Sequence, residues 1–300
     1  MTDQTTKRAT RRATLIGCGA VALWALLALL TTAAGPIPPF QMTAMTFAIA
    51  AGLAVAKWLW FGESIRGHLA LPAPVWALGV FGLFGFHALF FTALKLAPPV
   101  EANLVNYLWP LLIVVFAALL LGERLRWWHV AGALLGLAGA VMLVGGGAQG
   151  FEPRHAAGYA AALGSAITWA AYSVLSRRFG TVPTDAVGGF CAATAGLALL
   201  LHLATEVTVW PQGGQWLAIA ALGVGPVGAA FFLWDFGVKR GDIRALGALS
   251  YLTPLFSTVL LIAFGRAAAG WPVALACTLI VGGAVLAGHE MFRCSSPVPR

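Results

Sequence analysis

Apolar residues in this chain come in long, nearly unbroken runs. They show neither the alternation of a half-buried strand nor the one-sided stripe of a surface helix. Ten runs stand between clusters of proline, glycine and charge, at about 14–34, 40–60, 74–94, 100–121, 127–146, 157–177, 184–204, 215–237, 243–264 and 271–289. Each is roughly 20 residues long, which is what an α-helix needs to cross the hydrocarbon of a bilayer. The pattern predicts an all-α integral membrane protein with ten transmembrane helices. Pro36, Pro38 and Pro39 mark the first connection and Pro98-Pro99 the third. Pro183, Pro211 and Pro272 sit at other helix entrances, where a missing N–H costs little.

Composition agrees with the pattern. The 300 residues are 60% hydrophobic and 9% charged, against roughly 25% charged in soluble domains. Ten spans leave no room for a soluble catalytic domain. The net charge is +8, but the basic residues are scattered between apolar runs and form no patch for nucleic acid. Of the four cysteines, Cys18, Cys191 and Cys277 lie inside apolar runs and Cys294 in the tail, without CxxC spacing. They suggest small apolar filler, not a disulfide framework or a zinc site. The first run follows Lys7, Arg8, Arg11 and Arg12 and mimics a signal peptide. It contains Trp24 and outlasts an h-region of about 7–15 residues, so it reads as a retained first helix.

Loop charge sets the orientation. Fifteen of the 18 Lys and Arg fall on the side of the N-terminus, and only Lys95, Arg154 and Arg266 on the other. The expectation is a multi-pass protein of the bacterial inner membrane with both termini cytoplasmic. Losing one helix from the count would scramble this alternation.

The second half of the chain repeats the first. Residues 128–145 align with 271–288 with seven identities, and Tyr107-Leu108-Trp109-Pro110 aligns with Tyr251-Leu252-Thr253-Pro254. Trp24 matches Trp169 and Pro38 matches Pro183 at nearly the same offset. Residues 1–150 and 151–300 therefore read as two copies of a five-helix unit. Five is odd, so the second copy enters the membrane upside down. Inverted repeats that meet at a midplane site are the signature of secondary transporters.

The ten-helix, two-times-five pattern resembles the drug/metabolite transporter superfamily of EamA type. So does the spacing from Pro110 to Gly122-Glu123 at the end of the fourth helix. The Tyr-Leu-Trp-Pro run and Trp169 are similar to the YddG-type aromatic amino acid exporters within it. Gly265-Arg266 departs from the Gly-Glu that the family often repeats in the second copy. The resemblance implies export of aromatic and other neutral amino acids by alternating access. The alternative is an exporter of lipophilic or cationic drugs or metabolites. A membrane enzyme acting on lipids, or a scaffold that transports nothing, are the readings from other classes.

Candidate pathway residues follow from depth. Pro110 and Pro254 fall mid-run, where proline removes a backbone bond and frees the carbonyls of Asn106 and Ser250. They are the candidate hinges. Trp58, Trp60, Trp76, Trp127, Trp128, Trp210, Trp216 and Trp271 lie at helix ends and suit an interfacial belt. Trp24, Trp109 and Trp169 are mid-helix, where an indole either packs in the core or faces a cavity, and Trp234 is ambiguous. His87 is an ionisable group within a span, either a proton relay or a hydrogen-bonded neutral ring. Asn103 and Asn106 could bind a carboxylate or glue helices together. The candidate substrate-binding set is His87, Asn106, Tyr107, Trp109, Trp169, Trp24, Phe90 and Tyr251.

Other polar groups read as structural. Asp235 suits a local ion pair with Lys239, and Glu101 suits the positive end of the fourth helix. Gly132-x-x-x-Gly136 lets another backbone approach closely, either within the chain or at a dimer seam. No HExxH, P-loop or GxSxG appears. We expect no enzyme chemistry, metal or cofactor; the expected partners are a small-molecule substrate (amino acids) and the lipid bilayer, with no nucleic acid. A monomer suffices for this reading.

Overall fold

A computed structural model describes residues 3–145, 150–265 and 270–287. Sixteen helical segments follow one another: α1 Asp3–Trp24, α2 Leu27–Ala34, α3 Pro39–Trp60, α4 Ile65–Leu69, α5 Ala73–Val80, α6 Phe86–Leu96, α7 Pro99–Asn106, α8 Trp109–Leu121, α9 Trp127–Val144, α10 Ala156–Leu175, α11 Ala186–Thr205, α12 Gln215–Val224, α13 Ala230–Arg240, α14 Ile243–Leu249, α15 Leu252–Ala263 and α16 Trp271–Ala287. No strand occurs among the described residues. Several segments are halves of one longer helix. Breaks at Ala25–Leu26, Tyr107–Leu108 and Ser250–Tyr251 split α1/α2, α7/α8 and α14/α15. Single π-turns join α5 to α6 at Phe81–Gly85 and α12 to α13 at Gly225–Ala229.

Among the described residues, eight helices are long and apolar enough to cross a membrane. The other two predicted runs fall short for different reasons. α10 has 20 residues, but Gly158, Tyr159, Gly164, Ser165, Thr168, Tyr172 and Ser173 dilute its apolarity. α16 is apolar, and its described part has 17 residues.

The four most extensive helix pairings all join the first half of the chain to the second: α9 with α16, α3 with α11, α1 with α13 and α6 with α10. Each pair is antiparallel. In α3/α11, Lys57 Nζ meets Asp185 Oδ1 at 2.6 Å at one end, and Phe40 N–H donates to Glu206 Oε1 at 3.1 Å at the other. In α9/α16, Gly132 lies against Gly283 and Ala287, and Gly139 against Ala276 and Ile280. A Cβ on Gly132 would stand 2.5 Å from the Gly283 carbonyl oxygen, so this approach requires glycine. The Gly132-x-x-x-Gly136 motif thus serves packing within the chain.

The pairings bring α1's start, the ends of α3, α8, α10 and α13, and the start of α11 to one face, here the near face. It is stitched across the halves by charge. Glu123 lies 3.8 Å from Arg177 and 3.7 Å from Arg244, while Arg178 donates to the Leu120 carbonyl at 2.6 Å. Gly122, just before Glu123, ends α8 in the left-handed region (φ 69°), and Gly265 ends the α15 helix in the same way (φ 67°). Arg266 lies outside the described residues.

On the opposite face, Glu206 and His202 tie α11 to the start of α3. Glu206 also accepts from Gln41 N–H at 3.1 Å and from His202 Nδ1 at 3.0 Å. A carboxylate at a helix N-terminus satisfies orphan donors and suits the dipole.

Candidate functional site

Four tryptophans from four helices meet in the interior. Trp24 ends α1, Trp109 opens α8, Trp169 is in α10 and Trp234 in α13. All six pairs are in ring contact, with centroids 5.1–6.4 Å apart. Most meet edge to face, the geometry that the ring quadrupoles favour, and each such pair is worth about 0.5–1.5 kcal/mol beyond burial. All four are buried. Two indole N–H groups are already engaged. Trp24 Nε1 donates to the Pro226 carbonyl at 3.0 Å, and Trp234 Nε1 to Ser173 Oγ at 3.0 Å.

His87 stands beside this cluster. Its ring touches Phe47 and Phe86 at 5.1 Å, Phe91 at 5.9 Å and Phe231 at 6.4 Å. Phe231 in turn contacts Trp24 and Trp169, and Phe86 contacts Trp169. His87 Nδ1 donates to the Leu83 carbonyl at 2.7 Å. Leu83 lies inside the first π-turn, where the widened helix leaves carbonyls for side chains. With Nδ1 engaged as donor, Nε2 is the nitrogen left to meet a ligand. His87, Phe86, Phe90 and Phe91 keep partial exposure despite these ring contacts. The wall they form is therefore less closely covered than the four tryptophans.

The second π-turn has a matching arrangement, since it holds Pro226, the acceptor for Trp24. The two π-turns lie 144 residues apart. Each one thus hands a carbonyl to an aromatic side chain of the site.

The prolines act differently from expectation. Neither interrupts a continuous helix. Pro110 falls in the first turn of α8 and Pro254 in the first turn of α15, where its missing N–H would be an orphan anyway. The Ser250 carbonyl accepts from Thr253 N–H at 3.0 Å and is not free. Across the breaks, Tyr251 Oη donates to the Tyr107 carbonyl at 3.1 Å.

Of the eight candidates, the structure gathers Trp24, Trp109 and Trp169 directly. His87 joins through Phe231 and Phe86, and Phe90 stacks on Phe86 at 5.9 Å. Asn106 is buried, and its Oδ1 accepts from Ser165 Oγ at 2.7 Å, one turn of α10 from Trp169. Tyr107 is half-buried at the break between α7 and α8. Tyr251 is fully buried against Gly136 and belongs to a separate packing cluster with Val114 and Ala133.

Sequence reading left Trp234 ambiguous and missed Phe231, Phe47 and Ser173. A signal existed for two of them: Phe231 and Trp234 stand 144 residues beyond His87 and Phe90, the offset that aligns Tyr107 with Tyr251. Trp58 departs from the interfacial belt. It is buried and stacked on His68 at 4.6 Å, whereas Trp60, Trp127, Trp210 and Trp271 are exposed.

Ionic groups lie at the periphery. Asp235, next to Trp234, pairs with Lys239 at 2.9 Å and accepts from Thr184 Oγ1 at 2.8 Å. Asp235 and Lys239, with Tyr172 and Ser176, border a cavity of about 10 Å³, room for one water. Among the described residues, Glu63, His68 and Asp185 are the group of potential metal donors. They sit at the near ends of α3 and α11, with Glu63 paired to His68 and Asp185 to Lys57.

Comparison with known proteins follows the same lines. The chain is 56% identical to the aromatic amino acid exporter YddG of Ancylobacter novellus, covering 92% of this chain and 96% of that protein. It is 24% identical to the aromatic amino acid exporter YddG of Escherichia coli, covering 92% and 96%. A solved structure 54% identical superposes with a TM-score of 0.90 over 95% of this chain and 99% of its own. The model of the EamA-like transporter family matches twice, at residues 11–145 and 156–288. With both halves of the chain matched in this way, the protein belongs to the EamA-like transporter family.

Proposed function

We propose that this chain exports aromatic and other neutral amino acids across the bacterial inner membrane. The observation that carries the reading is the packing of Trp24, Trp109, Trp169 and Trp234 beside the partly exposed wall of His87 and phenylalanines. Ring faces and edges accept an aromatic side chain without hydrogen-bond readout, which suits a range of neutral substrates. His87 Nε2 faces the polar end of the substrate. A zwitterion crosses hydrocarbon poorly because both charges must shed water. A wet, polar cavity lowers that barrier without chemical work. Relatives named as aromatic amino acid exporters favour the same substrate class.

In this reading α10 and α16 complete ten spans, and residues 1–150 and 151–300 form two inverted five-helix repeats. Antiparallel pairing of the second helix with the seventh, and of the fifth with the tenth, supports the inversion. The basic near face is cytoplasmic, so both termini are too. Alternating access rocks the bundle about the tryptophans, with the breaks at Pro110 and Pro254 as hinges.

Efflux from loaded proteoliposomes tests the proposal. Radiolabelled tryptophan is expected to leave, with and without an imposed pH gradient, and a quaternary cation is expected to stay. Movement of the cation alone would replace this reading with drug export.

A further inference from the structure

We infer that the groove between α5 and the end of α10 binds an anionic phospholipid. The inference rests on the reading of the chain as embedded in a bilayer. The groove is lined by Pro74, Ala77, Leu78 and Phe81 from one side and Leu175, Arg178 and Phe179 from the other, and is an open depression of about 580 Å³. Pro74, Ala77, Leu78 and Phe81 recur at i, i+3, i+4 and i+7, so they form one continuous apolar stripe of helix. From Pro74 to Phe81 that stripe runs about 10 Å at the rise of a helix. Small residues, Pro74 and Ala77, leave the width for an acyl chain, and Phe81, 55% exposed, closes its deep end.

The rim of this otherwise apolar groove carries one cation. Arg178 is exposed at the near face, immediately past the last turn of α10. One guanidinium nitrogen donates to the Leu120 carbonyl at 2.6 Å, which fixes the orientation of the group and uses one of its five N–H donors. No carboxylate pairs with Arg178 among the described residues, in contrast to Arg177 and Arg244, which both reach Glu123. A planar guanidinium with free donors at the mouth of a hydrocarbon slot matches a phosphodiester head with an acyl tail.

The groove also touches the site. Phe81 opens the π-turn that contains Leu83, the carbonyl partner of His87. An acyl chain against Phe81 therefore holds the turn that orients the imidazole.

Native mass spectrometry of the purified protein, released from phosphatidylcholine nanodiscs with or without phosphatidylglycerol, tests the inference in the absence of substrate. Wild type is expected to retain phosphatidylglycerol in preference to phosphatidylcholine. Arg178→Gln is expected to lose that preference about fivefold, the factor one basic residue contributes near a membrane surface. Arg124→Gln removes the same charge from the same face and is expected to keep it. Ala77→Trp fills the slot and is expected to release the lipid altogether, with its melting midpoint in phosphatidylcholine confirming that it folds. An unchanged preference in Arg178→Gln, an equal loss in Arg124→Gln, or a second copy of the chain covering the groove would each overturn it. Failure of the chain to enter the bilayer would sink the membrane reading instead, and failure of tryptophan efflux would leave lipid retention standing.

Discussion

The two walls of the site are built on matching backbones and carry different chemistry. In the first half, the π-turn at Phe81–Gly85 is followed by His87 and Phe90; 144 residues later, the π-turn at Gly225–Ala229 is followed by Phe231 and Trp234. One wall has a titratable ring with a nitrogen to spare. The other has two apolar rings, one of them, Trp234, without exposure. The same divergence recurs at the breaks, where Trp109 corresponds to Thr253. The two halves share the π-turns, the breaks at Tyr107–Leu108 and Ser250–Tyr251, and the left-handed Gly122 and Gly265. Their side chains differ. Under the proposed function, that difference suits a substrate with a charged end and an apolar end, because a symmetric site would present the same chemistry to both.

The largest test of the contrast is alanine at the equivalent positions Phe90 and Trp234. Trp234→Ala removes a fully buried ring in contact with three other tryptophans and is expected to cost about 3–5 kcal/mol. Phe90→Ala, on the partly exposed wall, is expected to cost less than half as much. Thermal unfolding in detergent compares them, and equal costs would mean that the walls are not distinct. Next comes Ser173→Ala, which leaves the buried Trp234 N–H without its acceptor and is expected to cost about 1–3 kcal/mol. The same melts read it, and Ser173→Thr should recover most of the loss.

His87→Phe makes the first wall resemble the second. Folding should survive, while tryptophan efflux should fall about tenfold, equivalent to about 1.4 kcal/mol. Moving the imidazole across with His87→Phe and Phe231→His together should not restore flux, since Phe231 is buried against Trp24 and Trp169 whereas His87 keeps partial exposure. Full recovery in the double variant would show that the walls are interchangeable.

The smallest effect is expected at Asp242, which caps α14 by accepting from Arg244 and Ala245 N–H; the corresponding cap of α7 is Pro98, which offers no side-chain acceptor. Burial pushes the Asp242 carboxyl up, but its hydrogen bond with Arg244, the charge of Arg244, the Ala245 N–H and the charge of His129 together hold it below its ordinary value of 3.8. A lowered value means that the capping stability is fully present above pH 3.8 and disappears as pH falls through the lower value in the folded chain. Asp242→Ala is expected to cost about 1 kcal/mol at neutral pH and to flatten the acid limb of a melting curve. An unchanged acid limb would remove Asp242 from the account.

Much of the fold is legible in the chain because membrane insertion selects on a local property. Most of the apolar runs declare their own helices. The mid-run tryptophans were legible for the same reason, since an indole far from the interface needs an explanation. The misread elements depend on neighbours. Pro110 looks mid-helix in one dimension, but α7 stops at Asn106, so the proline begins a helix. Trp58 looks interfacial until His68 folds back onto it. Tyr251 shares its motif with Tyr107, yet the close approach of Gly136 draws it into a packing seam.

By itself, then, the order of residues determined the helical class, the apolar spans and the two-fold repetition, because hydropathy and internal similarity are read along one strand of chain. Only the tertiary structure decided that Trp234 completes a set of four, that each π-turn serves an aromatic partner and that the glycines of α9 face α16. Those outcomes rest on which helix faces meet, and side chains from distant segments become neighbours only once close packing has chosen the partners.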